Sequence, residues 1–482
     1  MLKKNREIFL LIIIFSSIRL VVSPFFGLGV DEAHYVLYAK YLDWSYLDHP
    51  PLVGWVHALF FYPFGTNEFL ARLPAVIIFA LTSYCAYLFM INITRSNRLS
   101  LLAVLALNCS FMFNVLGLML LPDSLLLPLV FFLIFIAERV NQDKKIVYFV
   151  YLGVILGLMG LAKYTAIVVV APLLAYYLIN RRYDILLSKG MFLAALIALL
   201  MITPVIVWNI QHDFASFRYQ GAHVFGSFTS SLQKFFISFG AQFGAYSPLL
   251  VIAAFYGFFK SLRQKNDYLR LAVLIGGTII IFFLLTSFSK STLPHWPAIF
   301  YLLFIPIGCY FLLRDNNKWK KNYAYLSIGL TLFLMLFVYV EIAGKFIKFP
   351  DYMSPWRDIY GFSDITAKAD EILKENDNTG KAIAVTNWTL GSRTMYYSLT
   401  HGNDVYVLDS RKDQFDIWEK KPPLGLDLLI LHTHFCKERN LKKIKCSSIE
   451  EAGELAIELN GARVDNIRYI WCRNYGGFNI ER

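Results

Sequence analysis

Residues 146–180 read "IVYFVYLGVILGLMGLAKYTAIVVVAPLLAYYLIN", and Lys163 is the only charged residue among them. As one helix this stretch would reach about 50 Å at about 1.5 Å per residue, too long for a single crossing of a hydrocarbon core about 30 Å thick. Two short helices that break near "GLAKY" fit better. That reading decides the fold, because it sets the side of the membrane on which every later loop emerges.

Working outward from the break, apolar runs predict spans at 7–25, 68–92, 99–118, 123–139, 146–161, 163–180, 190–208, 240–260, 271–288, 294–313 and 323–342. The first has a basic start (Lys3, Lys4, Arg6) but no small-x-small cleavage signal, so it reads as an uncleaved span. With the N-terminus inside, the inside segments hold about nineteen Lys and Arg and the outside loops about five, the bias that sets orientation. The inside group includes Arg95, Arg98, Arg139, Lys144, Lys145, Arg181, Arg182, Lys260, Arg263 and Arg314. The net charge of +12 is therefore spread over short loops in alternation and forms no single patch, which excludes a nucleic-acid partner as its explanation. Composition agrees: 57% of residues are hydrophobic and 17% charged, below the roughly 25% of soluble domains.

The expected fold class is a polytopic α-helical membrane protein, with about eleven transmembrane helices over residues 1–342. Its first outside loop, at about 26–67, is the longest of these. Residues 343–482 are different material. "KAIAVTNWTLGSRTMYYSLTHGNDVYVLD" reads strand, helix, strand, "GLDLLILHTH" adds a strand, and "RVDNIRYIWCRNYGGFNI" one or two more. Strands alternating with a helix predict a small extracytoplasmic α/β domain. Cys436, Cys446 and Cys472 fall in it, and an oxidising compartment would allow two of them to pair.

The unusual polar residues gather on the outside face. The first loop carries "GVDEAHYVLYAKYLDWSYLDHPPLVGW" at 29–55, with Asp31, Glu32, His34, Asp48 and His49. Later outer segments carry Asp123 in "LMLLPDSLLL", Lys163, then His212, Asp213 and Arg218 in "WNIQHDFASFRYQ", then Lys290 and His295 in "SKSTLPHWPA". Ionisable residues at membrane depth point to function. Each also has a plainer explanation. Asp123 fits a helix N-cap with Ser124 behind it, Lys163 a side chain reaching to headgroups, and His212 and Asp213 ordinary loop residues. Trp44, Trp55, Trp208 and Trp296 fit an interfacial aromatic belt. If "VDEAHYVLYAKYL" is helical, Asp31 shares a face with His34, Tyr35 and Tyr38, which predicts an amphipathic helix lying at the interface.

These motifs, taken in order with "SRTMYYSLTHG" and "DSRKDQFDIW" in the tail, resemble the bacterial membrane glycosyltransferases of the GT-C fold. The similarity is to the group related to protein O-mannosyltransferases and lipid A aminoarabinose transferases. The resemblance implies a polyprenyl-phosphate-linked sugar donor, transfer on the extracytoplasmic face of the bacterial inner membrane, and inversion at the anomeric carbon. It implies catalytic roles for Asp31, Glu32 and Asp123. Donor phosphate or sugar would be bound by Lys163, Arg218, Lys290, His295 and His49. At His49 the chain departs from relatives that carry lysine, and at His34 from some that carry arginine. The acceptor is expected to be a lipid such as lipid A, or another envelope component. A protein O-glycosyltransferase of the same fold and a lipid-linked-sugar transporter or flippase are the alternatives.

The sequence leaves three roles open for Asp31: proton acceptor, metal ligand or sugar anchor. A divalent Mg, Mn or Zn ion is the one cofactor considered, with Glu32, Asp48 and His49 as the ligand set. No GxGxxG or GxxxxGK[ST] loop is present, in keeping with a lipid-linked donor rather than a nucleotide sugar.

Overall fold

The structure is a computed structural model that describes residues 6–225, 231–290, 292–376, 380–418 and 421–479. Lys3 and Lys4 lie outside the described residues. The chain forms two compact units: Met1–Ser23 with Asp43–Val56 and Phe69–Val338, and Pro24–Leu42 with His57–Glu68 and Tyr339–Arg482.

The first unit is helical. The apolar stretch at 146–180 is two helices, Ile146–Ala162 and Ile167–Ile179, with a 3-10 turn at Tyr164–Ala166 between them. Lys163 sits at the break with extended backbone (φ −157°, ψ 138°). Among the described residues five helices are long and apolar enough to cross a bilayer, or six if one bent pair counts as a span. Several others are shorter than the roughly 20 residues of a perpendicular crossing, including Asn97–Cys109 and Ala298–Arg314. The expected eleven crossings are thus not confirmed.

Two expected spans are broken. In place of 240–260 stand Leu232–Tyr246 and Pro248–Ser261, bent by 104°. Pro248 has no N–H to continue a helix, and Ser247 before it takes a φ of 74°. In place of 99–118 the chain turns at Ser110. There Arg19 reaches across from the first helix and donates to Asn108 Oδ1 at 3.3 Å and Asn114 Oδ1 at 2.9 Å. These buried side chains hydrogen-bond one another inside the helical unit, as polar groups at membrane depth must. Helix Ile146–Ala162 packs closely on Lys189–Gln211, and a Cβ on Gly153 would meet the Ala194 carbonyl oxygen at 2.6 Å.

The second unit holds the sheet. Its strands are β1 Lys381–Val385, β2 Val405–Val407, β3 Asp427–Thr433, β4 Ile444–Lys445, β5 Ser448–Leu459, β6 Ala462–Arg473 and β7 Gly477–Phe478. The main sheet has the order β2-β1-β3-β6-β5, and β4 and β7 form a two-stranded ribbon. β1 pairs parallel with β2 and with β3, while β6 pairs antiparallel with β3 and β5. Cys446 and Cys472 form a disulfide, with 5.2 Å between their Cα atoms. Leu428, Ile430 and Ile470 make the centre of the core on the sheet face beside it.

Helix Val30–Lys40 belongs to this unit, and every residue from Glu32 to Ala39 is buried. It packs on helix Trp388–Ser398. The helix expected here is present, and on the face expected to be shared with Asp31 the side chains of His34, Tyr35 and Tyr38 are buried, with the two tyrosine rings 5.5 Å apart.

Candidate active site

In the helical unit the break at Lys163 and the start of helix Pro122–Asp143 bring opposite charges together. Pro122 opens that helix, where its missing N–H costs nothing. Ser124 secures the start: its hydroxyl donates to Leu116 O at 2.8 Å and accepts from Leu121 N at 3.3 Å. Asp123 is thus not the cap. Its two carboxylate oxygens each accept from Lys163 Nζ at 2.7 Å. Both side chains are deeply buried, with 8% and 7% exposure, so Lys163 does not reach to headgroups. His295 Nε2 lies 3.7 Å from Asp123 Oδ2. His49 also acts electrostatically on the Asp123 carboxylate.

Aromatic side chains hold the His295 turn. Tyr246 stacks on Tyr301 with centroids 3.9 Å apart, and its hydroxyl donates to Pro294 O at 3.1 Å. The segment bearing Asp48 and His49 is tethered by polar contacts. Tyr164, next to Lys163, donates to Ser216 Oγ at 2.9 Å and lies 3.1 Å from Ser45 Oγ. Ser216 donates in turn to Asn209 Oδ1 at 3.0 Å. Gln220 Nε2 donates to the Asp48 carbonyl at 2.6 Å.

Asp43 was missed in the sequence. Its carboxylate accepts from the Trp208 indole N–H at 2.7 Å and from Trp44 N at 2.7 Å, and its carbonyl accepts from the Trp55 indole at 3.0 Å. Trp208 is buried and stacks on His212 at 4.0 Å. Through Asp43, Trp55 and Trp208 hold the first loop. The signal was an acid beside a tryptophan in "LDWSYLDHPP".

Lys290 Nζ donates to Ala222 O at 2.8 Å, toward the end of helix Ala215–Phe225. Arg218 is exposed on that same helix.

Asp31, Glu32 and His34 lie in the second unit. Asp31 is half-buried. Glu32 is buried, and its Oε2 accepts from Gly29 N at 3.2 Å, which closes the start of helix Val30–Lys40. His34 sits among Tyr38, Trp388, Phe415 and Trp418, with ring centroids 5.3 to 5.7 Å away. Its Nδ1 is 3.3 Å from Ser392 Oγ. Asp413, also missed in the sequence, is buried nearby in charge terms: burial pushes its carboxyl up to about 6, Asp416 and Asp409 add to the rise, and His34 opposes it. Among the described residues no three or more His, Cys, Asp or Glu side chains stand together as a metal site. The three residues considered as a ligand set divide between the units, with Glu32 in the second and Asp48 and His49 in the first.

Comparison with known proteins matches residues 48–208 to the family described as dolichyl-phosphate-mannose-protein mannosyltransferase. The lipid A galacturonosyltransferase RgtD of Rhizobium johnstonii is 22% identical over 313 residues. That match covers 63% of this chain and 63% of the relative, so it spans less than two-thirds of the relative's length. Among solved structures, ArnT from Cupriavidus metallidurans in the apo state superposes with a TM-score of 0.62 at 14% identity, over 95% of this chain and 97% of that one. The same protein bound to undecaprenyl phosphate gives 0.59 at 14% identity, over 96% and 98%. The chain has the fold of the ArnT structures over nearly its whole length, and residues 48–208 match the mannosyltransferase family model.

Proposed function

We propose that the protein transfers a sugar from a polyprenyl-phosphate-linked donor to a lipid acceptor in the cell envelope, on the extracytoplasmic side of the inner membrane. The observation that carries this reading is the buried Asp123–Lys163 pair with His295 beside it. The pair is neutral, and the two imidazoles near it add positive charge when protonated, so the group suits an anion. A departing lipid phosphate is such an anion. The acceptor oxygen forms a bond to the anomeric carbon, the bond from that carbon to the phosphate oxygen breaks, and the electron pair leaves on the phosphate. Fixed cationic donors in a dry site stabilise that developing charge.

Relatives support the lipid-linked chemistry. One is named a lipid A galacturonosyltransferase, and ArnT has been solved with undecaprenyl phosphate. The Cys446–Cys472 disulfide supports an oxidising location for the second unit. A hydroxyl acceptor must lose its proton, and Asp31 is proposed as the group that takes it or orients the sugar. The family match to protein mannosyltransferases favours a second reading, with a protein hydroxyl as acceptor.

The test is release of polyprenyl phosphate by purified protein given polyprenyl-phosphate sugars, with lipid A or a peptide added in separate reactions. Release stimulated by lipid A supports the first reading and stimulation by peptide the second. No release from any donor sinks both. Asp31→Asn is expected to abolish release while the protein stays folded, and full activity in that variant removes Asp31 from the mechanism.

A further inference from the structure

In the second unit β1 lies between β2 and β3, and all three run parallel. The chain leaves β1 through helix Trp388–Ser398 to reach β2 on one side, then returns to β3 on the other. Loops that diverge in this way open a crevice at the carboxyl ends of the strands, the usual ligand position in open α/β sheets. A cavity of about 360 Å³ occupies that place. It is lined by Asn387 just after β1, Thr433 at the end of β3, and Thr389 in the first turn of the helix. Its size is at the small end of ligand pockets, which run from about 300 Å³ upward.

The lining has a cationic edge and a neutral polar edge. Arg393 is buried, and its Nη1 donates to Asp358 Oδ1 at 3.0 Å and to Asp358 O at 2.9 Å. Arg357 Nη2 is 3.5 Å from Asp358 Oδ2, and its guanidinium packs 4.2 Å over the Phe435 ring. Two guanidiniums thus face the single carboxylate of Asp358. Asp465 also lines the cavity, but its Oδ1 accepts from His434 N and Asn466 N, and burial raises its carboxyl above the usual range. The amide of Asn387 and the hydroxyls of Thr389 and Thr433, groups of the kind that meet sugar hydroxyls, also line the cavity.

We propose that this cavity binds one monosaccharide unit bearing a phosphate or a carboxylate. The acid group lies toward Arg357 and Arg393, and the hydroxyls lie toward Asn387, Thr389 and Thr433. All of the residues that line the cavity belong to the second unit. Only the naming of its ligand as part of the glycan acceptor rests on the transferase reading.

Cys436 provides a native reporter. It lines the cavity, Thr433 Oγ1 donates to its Sγ at 3.4 Å, and Asn387 Nδ2 is 3.6 Å from that sulfur. The other free cysteines, Cys85, Cys109 and Cys309, are buried. Maleimide labelling of the native full-length protein therefore reads this cavity. Glucose 1-phosphate or glucuronate is expected to slow labelling about fivefold when present at about four times its dissociation constant, because only the unoccupied fraction reacts. Glucose and inorganic phosphate at the same concentration are expected to leave the rate unchanged. Arg357→Ala is expected to label at the wild-type rate without ligand and to lose the protection.

Absence of protection by both sugar acids overturns the proposal. So does equal protection by inorganic phosphate or by glucose, or protection that survives Arg357→Ala. Release of polyprenyl phosphate is measured on the same wild-type preparation. Protection without release keeps this site and sinks the transferase reading; release without protection does the reverse.

Discussion

Lys163 was visible in the sequence as a lone charge in an apolar stretch, but its partner was not. The carboxylate that receives it is 40 residues away, on a different helix. Buried pairs of this kind are costly to break on one side only, because the remaining charge has lost its solvation and gained nothing. Lys163→Met is expected to destabilise the protein by about 3–5 kcal/mol and to lower sugar transfer about a hundredfold or more. Lys163→Met combined with Asp123→Leu is expected to recover most of the thermal stability and none of the activity. Activity in the double variant would sink the role assigned to the pair. Asp413 gives a second residue-scale expectation. Its folded pKa, about 6, lies above its ordinary value of 3.8. Its contribution to stability is therefore fully present below about pH 4 and is lost as pH rises through about 6. Asp413→Asn should flatten the fall in thermal midpoint across that window and raise the midpoint at pH 7. An unchanged pH profile would show that the carboxyl is not held as described.

At the scale of elements, the disulfide ties the chain just before β5 to β6 across a sequence separation of 26. Closing a loop of that length removes about 3–4 kcal/mol of chain entropy from the unfolded state. Cys446→Ser should lower the stability of the second unit by an amount of that order, measured by denaturant unfolding, and reduction of the wild type should match it. The sequence showed the break at "GLAKY", most of the helical runs, and four of the five strands of the main sheet. It did not show β5, "SIEEAGELAIEL", because an edge strand with several exposed acids lacks the apolar alternation that marks a half-buried strand. The Asn460–Gly461 turn was the available signal, since both residues take positive φ and join β5 to β6. The partners of helix Val30–Lys40 were not legible for a related reason. Tyrosine and histidine count as polar-face residues in a pattern, but here aromatic partners more than 350 residues later surround them. Periodicity carries no information about partners that distant.

For the whole molecule, two observations of different kinds bear on orientation. One is the Lys and Arg bias of alternate loops, which was readable without any structure. The other is a disulfide in the second unit, which forms and persists in oxidising compartments. Both support the proposal that residues 343–482 lie outside; the charge bias alone extends it to the loops that carry Asp123, Lys163 and His295 and to a cytoplasmic 262–266 turn. The native thiol of Cys436 tests this directly, because it is the one free cysteine that is not buried. In sealed right-side-out membrane vesicles, a membrane-impermeant maleimide should label wild-type protein at Cys436. A second cysteine introduced by Arg263→Cys, at an exposed position in the expected inside turn, should react only after the vesicles are permeabilised. The Cys436→Ser background isolates that second signal. Labelling of both sites before permeabilisation would mean that the number of crossings between them differs from the charge reading, whereas labelling of Arg263→Cys alone would mean that both sites are inverted together. The break at Lys163 would then be the first place to look, since joining its two helices into one crossing inverts every loop that follows.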